Sequence, residues 1–317
     1  MKQTIFTLLL LSTIGFVSCR KTGTEPNIVQ YDQAQILNYI KANGIKGMHQ
    51  DTVGGDTSGI YYKLIDSAKA ASDVPLTYSD EVSFVYTLRS FDGQYISSDT
   101  ILNQYLGYVG HIASTAFPAG LEIAIINDLK YSGGSMRVLI PSYLAYGVNG
   151  YGSGSINVAG SHIAGNQCLD YYVHVINKQP DTVAQYNYDE QVINNYLTSQ
   201  NLTGYLPDGG VYYKILTKGT GTDPITDNTT IEATYNERLL NGNVLGGANQ
   251  TTGVDSTSFD VPTLIPGVTR MLEKHAVKGT VISMIIPSGQ AYGISSPSGT
   301  PANACLRYEF TIVDVST

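Results

Sequence analysis

Met136-Arg137-Val138-Leu139-Ile140-Pro141-Ser142 runs on to Ala145-Tyr146-Gly147, and Ile282-Ser283-Met284-Ile285-Ile286-Pro287-Ser288 runs on to Ala291-Tyr292-Gly293. Both copies carry an alternating apolar stretch into Ile-Pro-Ser and then into Ala-Tyr-Gly. Met136, Val138 and Ile140 share one parity with Arg137 between them, so the spacing predicts a strand with one buried face. Pro141 and Pro287 lack the N–H that a ladder needs and end the strand, and Gly147 and Gly293 mark a reversal just after a tyrosine. Each copy thus holds a tyrosine at a fixed place beside a rigid strand.

The duplication extends outward from this stretch. Tyr31-Asp32 opens a segment with Ile36, Leu37 and Ile40 on one helical face, answered by Tyr188-Asp189 with Val192, Ile193, Tyr196 and Leu197. Gly59 to Leu64 is answered by Gly210 to Ile215, and the strand bearing Phe84, Tyr86 and Leu88 by the strand bearing Ile231, Ala233, Tyr235 and Glu237. Asp92-Gly93 and Asn241-Gly242 follow as hairpin signals. Phe117-Pro118-Ala119-Gly120-Leu121 leads into Glu122 to Lys130, and Leu264-Ile265-Pro266-Gly267-Val268 into Thr269 to Val277, each with the marks of a short helix. The offset between copies shrinks from 157 at Tyr31/Tyr188, through 146 at Tyr146/Tyr292, to 137 at Cys168/Cys305, so residues are lost only between elements. That is the pattern of a duplicated domain with variable loops and not of a solenoid. We place the units at 29–178 and 186–317 with a linker over 179–185, and the class is α+β, each unit an antiparallel sheet with a leading helix.

A net charge of −8 without any Lys/Arg run argues against nucleic acid as a partner. The five histidines have no cysteine at ligand spacing and no triad pattern, so neither a metal nor a cofactor is expected, and Cys168 and Cys305 read as buried free thiols. Lys2, the short apolar run Ile5 to Val17 and Ser18-Cys19 read as a targeting segment over 1–18, too short to span a bilayer, which takes about 20 residues. Its ending resembles the lipobox of bacterial lipoproteins, although Phe16 departs from the usual leucine. The resemblance implies acylation of Cys19, membrane attachment through that lipid in a bacterial envelope, and a polar tether over 19–28.

Taken in order and in duplicate, these motifs resemble the FKBP-type peptidyl-prolyl isomerase family. The match runs from about Gly59 to Lys178 and from Gly210 to Val315. The resemblance implies a half-wrapped sheet around the short helix, and proline-containing polypeptides as clients held in an aromatic pocket. In the first unit the pocket residues are then Tyr86, Ile96, Phe117, Leu121, Tyr146 and Tyr171. In the second they are Tyr235, Leu245, Phe259, Ile265, Val268, Tyr292 and Tyr308. Tyr146 and Tyr292 become the hydroxyl donors, with a backbone N–H at the helix start as a second donor.

Three departures bear on activity. Where the family has Phe-Asp after the turn, this chain has Ile96-Ser97 and Leu245-Gly246, so that carboxylate is missing from both units. Pro118 stands opposite Ile265 and has no N–H. The first unit's flap, from Val148 to Gly165, is long, and Gly150, Gly152, Gly154 and Gly160 are expected to leave it pliable. The resulting expectation is an isomerase of reduced activity acting on X-Pro bonds of exported proteins, centred on the second unit. The alternative is a prolyl-peptide binding or chaperone lipoprotein without turnover.

Overall fold

The computed structural model describes residues 27–53, 55, 57–69, 74–97, 104–154, 158, 160–179, 181–248 and 256–316. The targeting segment and Cys19 lie outside the described residues. Among the described residues no helix is long and apolar enough to cross a membrane.

Among the described residues the α-helices are α1 (Ile28–Ala42), α2 (Ala119–Ala124), α3 (Thr182–Ser199) and α4 (Pro266–His275). The first sheet contains β1 (His49–Gln50), β2 (Tyr61–Asp66), β3 (Glu81–Ser90), β4 (Ile96–Ser97), β5 (Gln104–Tyr108), β6 (Ser135–Ile140) and β7 (Leu169–Lys178). Its order is β1-β2-β6-β7-β3-β4, with β5 also paired to β3. The second contains β8 (Leu206–Asp208), β9 (Val211–Thr217), β10 (Thr230–Leu239), β11 (Val244–Ala248), β12 (Thr257–Asp260), β13 (Val281–Ile286) and β14 (Leu306–Ser316). Read from β8, its order is β8-β9-β13-β14-β10-β11, with β12 on β10, which is the same topology. Even an irregularity is duplicated: the bulge between Ser83 and Phe84 against β7 recurs between Glu232 and Ala233 against β14. The class is α+β, two antiparallel sheets with FKBP-like element order and a helix leading into each.

The Ile-Pro strands are buried on both faces, where the alternation predicts one. Met136, Val138 and Ile140 join the core beneath α2, whereas Leu139 packs with Ile36 of α1 and with Cys168. In the second unit Ile285 likewise packs with Ile193 and Tyr196 of α3 and with Cys305. The leading helices therefore roof the back of each sheet, and a buried carboxylate fastens each one. Asp32 Oδ2 accepts from Ser142 Oγ at 2.8 Å, and Asp189 Oδ2 accepts from Ser288 Oγ at 2.6 Å and Ser288 N at 2.8 Å. The Tyr-Asp and Ile-Pro-Ser motifs are thus two halves of one clamp, and the cysteines beside them are free thiols whose ionisation burial pushes up.

Both leading helices begin earlier than their Tyr-Asp pairs. Asn27 caps α1 by accepting from Gln30 N, and Asp181 caps α3 by accepting from Val183 N and Ala184 N. A short polar side chain placed before the run satisfies first-turn N–H groups. The stretch 179–185, read from sequence as a linker, is accordingly helical from Thr182, and Ile28 of the tether belongs to α1.

The short helices cross their Ile-Pro strands at glycine. A Cβ on Gly120 would stand 2.4 Å from Ile140 Cγ2, and one on Gly267 would stand 2.5 Å from Ile286 Cγ2. Beyond that crossing the units differ. One more residue separates Gly120 from Gly133 than Gly267 from Gly279, and the surplus is taken up by a π-helical turn over Ile125–Leu129.

Candidate functional site

Each unit has an aromatic cavity between its short helix and its sheet. In the second unit the cavity is about 170 Å³. Tyr235 enters from β10, Phe259 from β12, Tyr308 from β14, Ile265 and Val268 from the start of α4, and Tyr292 from the turn after β13. All six were expected from the sequence. Leu245 is not in the wall. It is the surplus residue of a bulge on β11, where Glu237 pairs with Gly246 but Arg238 pairs with Val244, and its side chain packs on the core instead.

In the first unit Tyr86, Phe117, Tyr146 and Tyr171 line a cavity of about 80 Å³. Leu121 is absent from its wall because it is sealed in the core. Ile96 is 53% exposed and faces the opposite side of the sheet. The reason is strand parity: Ser97 pairs with Leu88 and both line the cavity, which turns Ile96 away. Tyr95 and Tyr151 are lining residues that the motifs did not single out. Tyr151 stacks on Tyr146 with ring centroids 4.7 Å apart and narrows the space.

Gly150, Gly152 and Gly154 of the flap serve close approach, whereas a Cβ on Gly160 would meet nothing within 4 Å. Tyr151 and Ile163 exchange backbone hydrogen bonds at 2.9 and 2.8 Å, and a Cβ on Gly150 would sit 2.0 Å from Ile163 O. Only glycine lets the two arms of this hairpin meet.

The hydroxyls are organised differently in the two cavities. Tyr146 donates to the Ala116 carbonyl at 2.8 Å, and its O–H is thereby committed to the backbone. Tyr292 donates to Glu237 Oε1 at 3.1 Å and lies 3.3 Å from the Tyr308 hydroxyl. Glu237, buried in this wall, supplies a carboxylate where the sequence motif lacks one. Its signal was present: a charged residue on the inward parity of Ile231, Ala233 and Tyr235. Burial pushes the phenols of Tyr86 and Tyr146 up to about 12, and burial foremost also raises Tyr292 and Tyr308. At neutral pH all four hydroxyls therefore keep their protons and remain donors.

Backbone donors differ as well. Ile265 caps α4 at the cavity wall and carries an N–H, whereas Pro118 caps α2 and has none. Among the described residues no group of His, Cys, Asp and Glu is arranged to hold a metal ion. The site consists of apolar rings, protonated hydroxyls and, in the second unit, one carboxylate.

Among curated proteins, the FKBP-type peptidyl-prolyl cis-trans isomerase FkpA of Escherichia coli K12 is 32% identical over 106 residues, covering 33% of this chain and 38% of the relative. Its counterpart from Buchnera aphidicola is 32% identical over 108 residues, covering 34% and 41%. The chain thus spans well under half the length of the curated relatives it matches. Among solved structures, FkpA from Escherichia coli aligns with TM-score 0.37 and 27% identity over 41% of this chain and 61% of that one. The three FKBP domains of wheat FKBP73 align with TM-score 0.32 and 17% identity over 86% and 99%. No family model matches. In its partial sequence match the chain is similar to FKBP-type proteins, and the duplicated element order is the one that this resemblance implies.

Proposed function

We propose that the chain is a peptidyl-prolyl cis-trans isomerase that works through its second unit. The observation that carries this reading is the 170 Å³ cavity, where the Tyr292 hydroxyl and the helix-start residue Ile265 share one apolar wall. Rotation about an X-Pro bond must overcome about 18–20 kcal/mol because resonance keeps the amide planar. A twisted amide is less polar than a planar one, so stripping water from the prolyl ring and its amide favours the transition state. Donors aimed at the flanking carbonyl hold the chain in that geometry. No nucleophile, cofactor or proton transfer is required.

The first unit suits prolyl-peptide binding with little turnover. Supporting this are its smaller cavity, the commitment of Tyr146 to Ala116 O and the N–H that Pro118 lacks. Exported proteins are the proposed clients and an envelope membrane the proposed location, both motivated by Ser18-Cys19. Cys19→Ser should abolish incorporation of labelled fatty acid; a wild-type chain that takes up no label overturns the anchor.

The isomerase reading is tested with the full-length protein on a prolyl tetrapeptide, following cis-to-trans conversion by protease coupling. Acceleration that rises linearly with protein concentration supports it. A rate equal to the uncatalysed one overturns it.

A further inference from the structure

In the second unit the cavity carboxylate arrives from an unexpected strand. Glu237 sits on β10 and Gly246 directly opposite it on β11. A Cβ built on Gly246 would stand 3.3 Å from Glu237 Oε2 and 3.5 Å from the Tyr235 hydroxyl. The space that a side chain at 246 would enter is thus already taken by the Glu237 carboxylate, and glycine keeps it open. The β11 bulge falls beside this pair and removes Leu245 from the wall.

The carboxylate is engaged. Its Oε1 accepts from Tyr292, whose own oxygen lies within reach of the Tyr308 hydroxyl. Hydroxyls linked in series to an anion in a poorly hydrated site hold one another in orientation. The first unit offers the contrast. Its counterpart pair is Leu88 and Ser97, with Leu88 buried and apolar, and there Tyr146 turns to a backbone carbonyl instead.

We infer that Glu237 is the positioning residue of the second cavity, holding Tyr292 and Tyr308 so that one hydroxyl is aimed at the carbonyl beside the bound proline. This inference rests on the isomerase reading for its kinetic consequence and on geometry alone for the hydroxyl array. As a peptide enters, Glu237 retains Tyr308 while Tyr292 turns its O–H to the peptide carbonyl. Glu237 itself does not contact the reacting amide. It fixes donor orientation, and orientation is felt in the transition state more than in binding.

Three full-length variants test the assignment. Glu237→Leu copies the first unit and should lower kcat about tenfold while KM stays within about twofold, because the apolar wall is kept. The double change Glu237→Gly with Gly246→Asp returns a carboxylate to the same space from the opposite strand. It should recover to within about threefold of wild type. Wild-type kcat in Glu237→Leu, or a folded double variant no faster than Glu237→Leu, overturns the inference. If the wild type itself shows no turnover, the isomerase reading fails and the array is judged separately. Glu237→Gln should then lower the phenol titration midpoints of Tyr292 and Tyr308, followed by the 13Cζ resonances of labelled tyrosine. Unmoved midpoints overturn it.

Discussion

The two units follow one strand order, yet their cavities present different chemistry. The first surrounds a smaller space with more tyrosines, stacks Tyr151 on Tyr146 and starts its helix on a proline. The second surrounds a larger space, starts its helix on a residue with an N–H and introduces a buried glutamate. Aromatic richness and donor geometry point in opposite directions here. Apolar side chains substitute for one another at little loss, whereas an absent N–H or a diverted hydroxyl has no replacement of similar bulk. Under the proposed function, a count of rings and a count of donors at the cavity therefore rank the two units oppositely, and the donors favour the second.

The largest expected effect breaks the comparison at the back of the sheets. Asp189 accepts from Ser288 N, Ser288 Oγ and Gln185 Nε2, whereas Asp32 Oδ1 is buried without a partner. Asp189→Ala should thus cost about 3 kcal/mol and Asp32→Ala about 1–2 kcal/mol, measured as shifts in urea unfolding of the full chain. Equal losses would show that the two clamps are equivalent.

Next in size is the hydroxyl contrast. Tyr292→Phe should lower the isomerase rate of the full-length protein about tenfold and Tyr146→Phe less than about twofold. A larger loss from Tyr146→Phe would move the activity to the first unit.

A pH difference follows from the π-helical turn. It carries Asp128, whose carboxyl is raised from 3.8 to about 7 by burial first and by the neighbouring Asp51 second, with Lys130 opposing. In the second unit the corresponding face carries Arg270, Lys274 and His275 around Asp208, which is held well below the usual carboxylate range. Because folding raises the Asp128 pKa, its protonation favours the folded state. That contribution is complete below about pH 4 and is lost as pH rises through about 7. Asp128→Asn should raise Tm at pH 8 by about 2–4 °C, with no gain at pH 4, as read by calorimetry. An equal gain at both pH values would assign the effect to packing.

The smallest effect sharpens the helix-start argument. Pro118→Ile restores an N–H to the first unit and should raise total turnover by no more than about twofold, since Tyr146 remains tied to Ala116 O. A larger rise would show that the missing N–H, and not the tied hydroxyl, holds the first unit back.

Much of this was legible in the residues because it is local. Alternation, Pro and Gly wrote out β6 and β13, the hairpin signals and the short helices, and their duplication in order carried the resemblance. Six second-unit positions and four first-unit positions expected in a pocket do converge. What one sequence position could not express was a relation between strands. Ile96 left the wall through parity, Leu245 through a bulge, and Leu121 through the depth of the core. Whether an added residue lengthens a loop or winds a π turn depends on the packing at both helix ends. The absent carboxylate is the clearest case. From the chain alone, Gly246 says only that a side chain is gone, because sequence neighbours are fixed by covalent bonds. Antiparallel pairing brings Glu237 across from that vacancy, and proximity of this kind exists only once β10 and β11 have set their register.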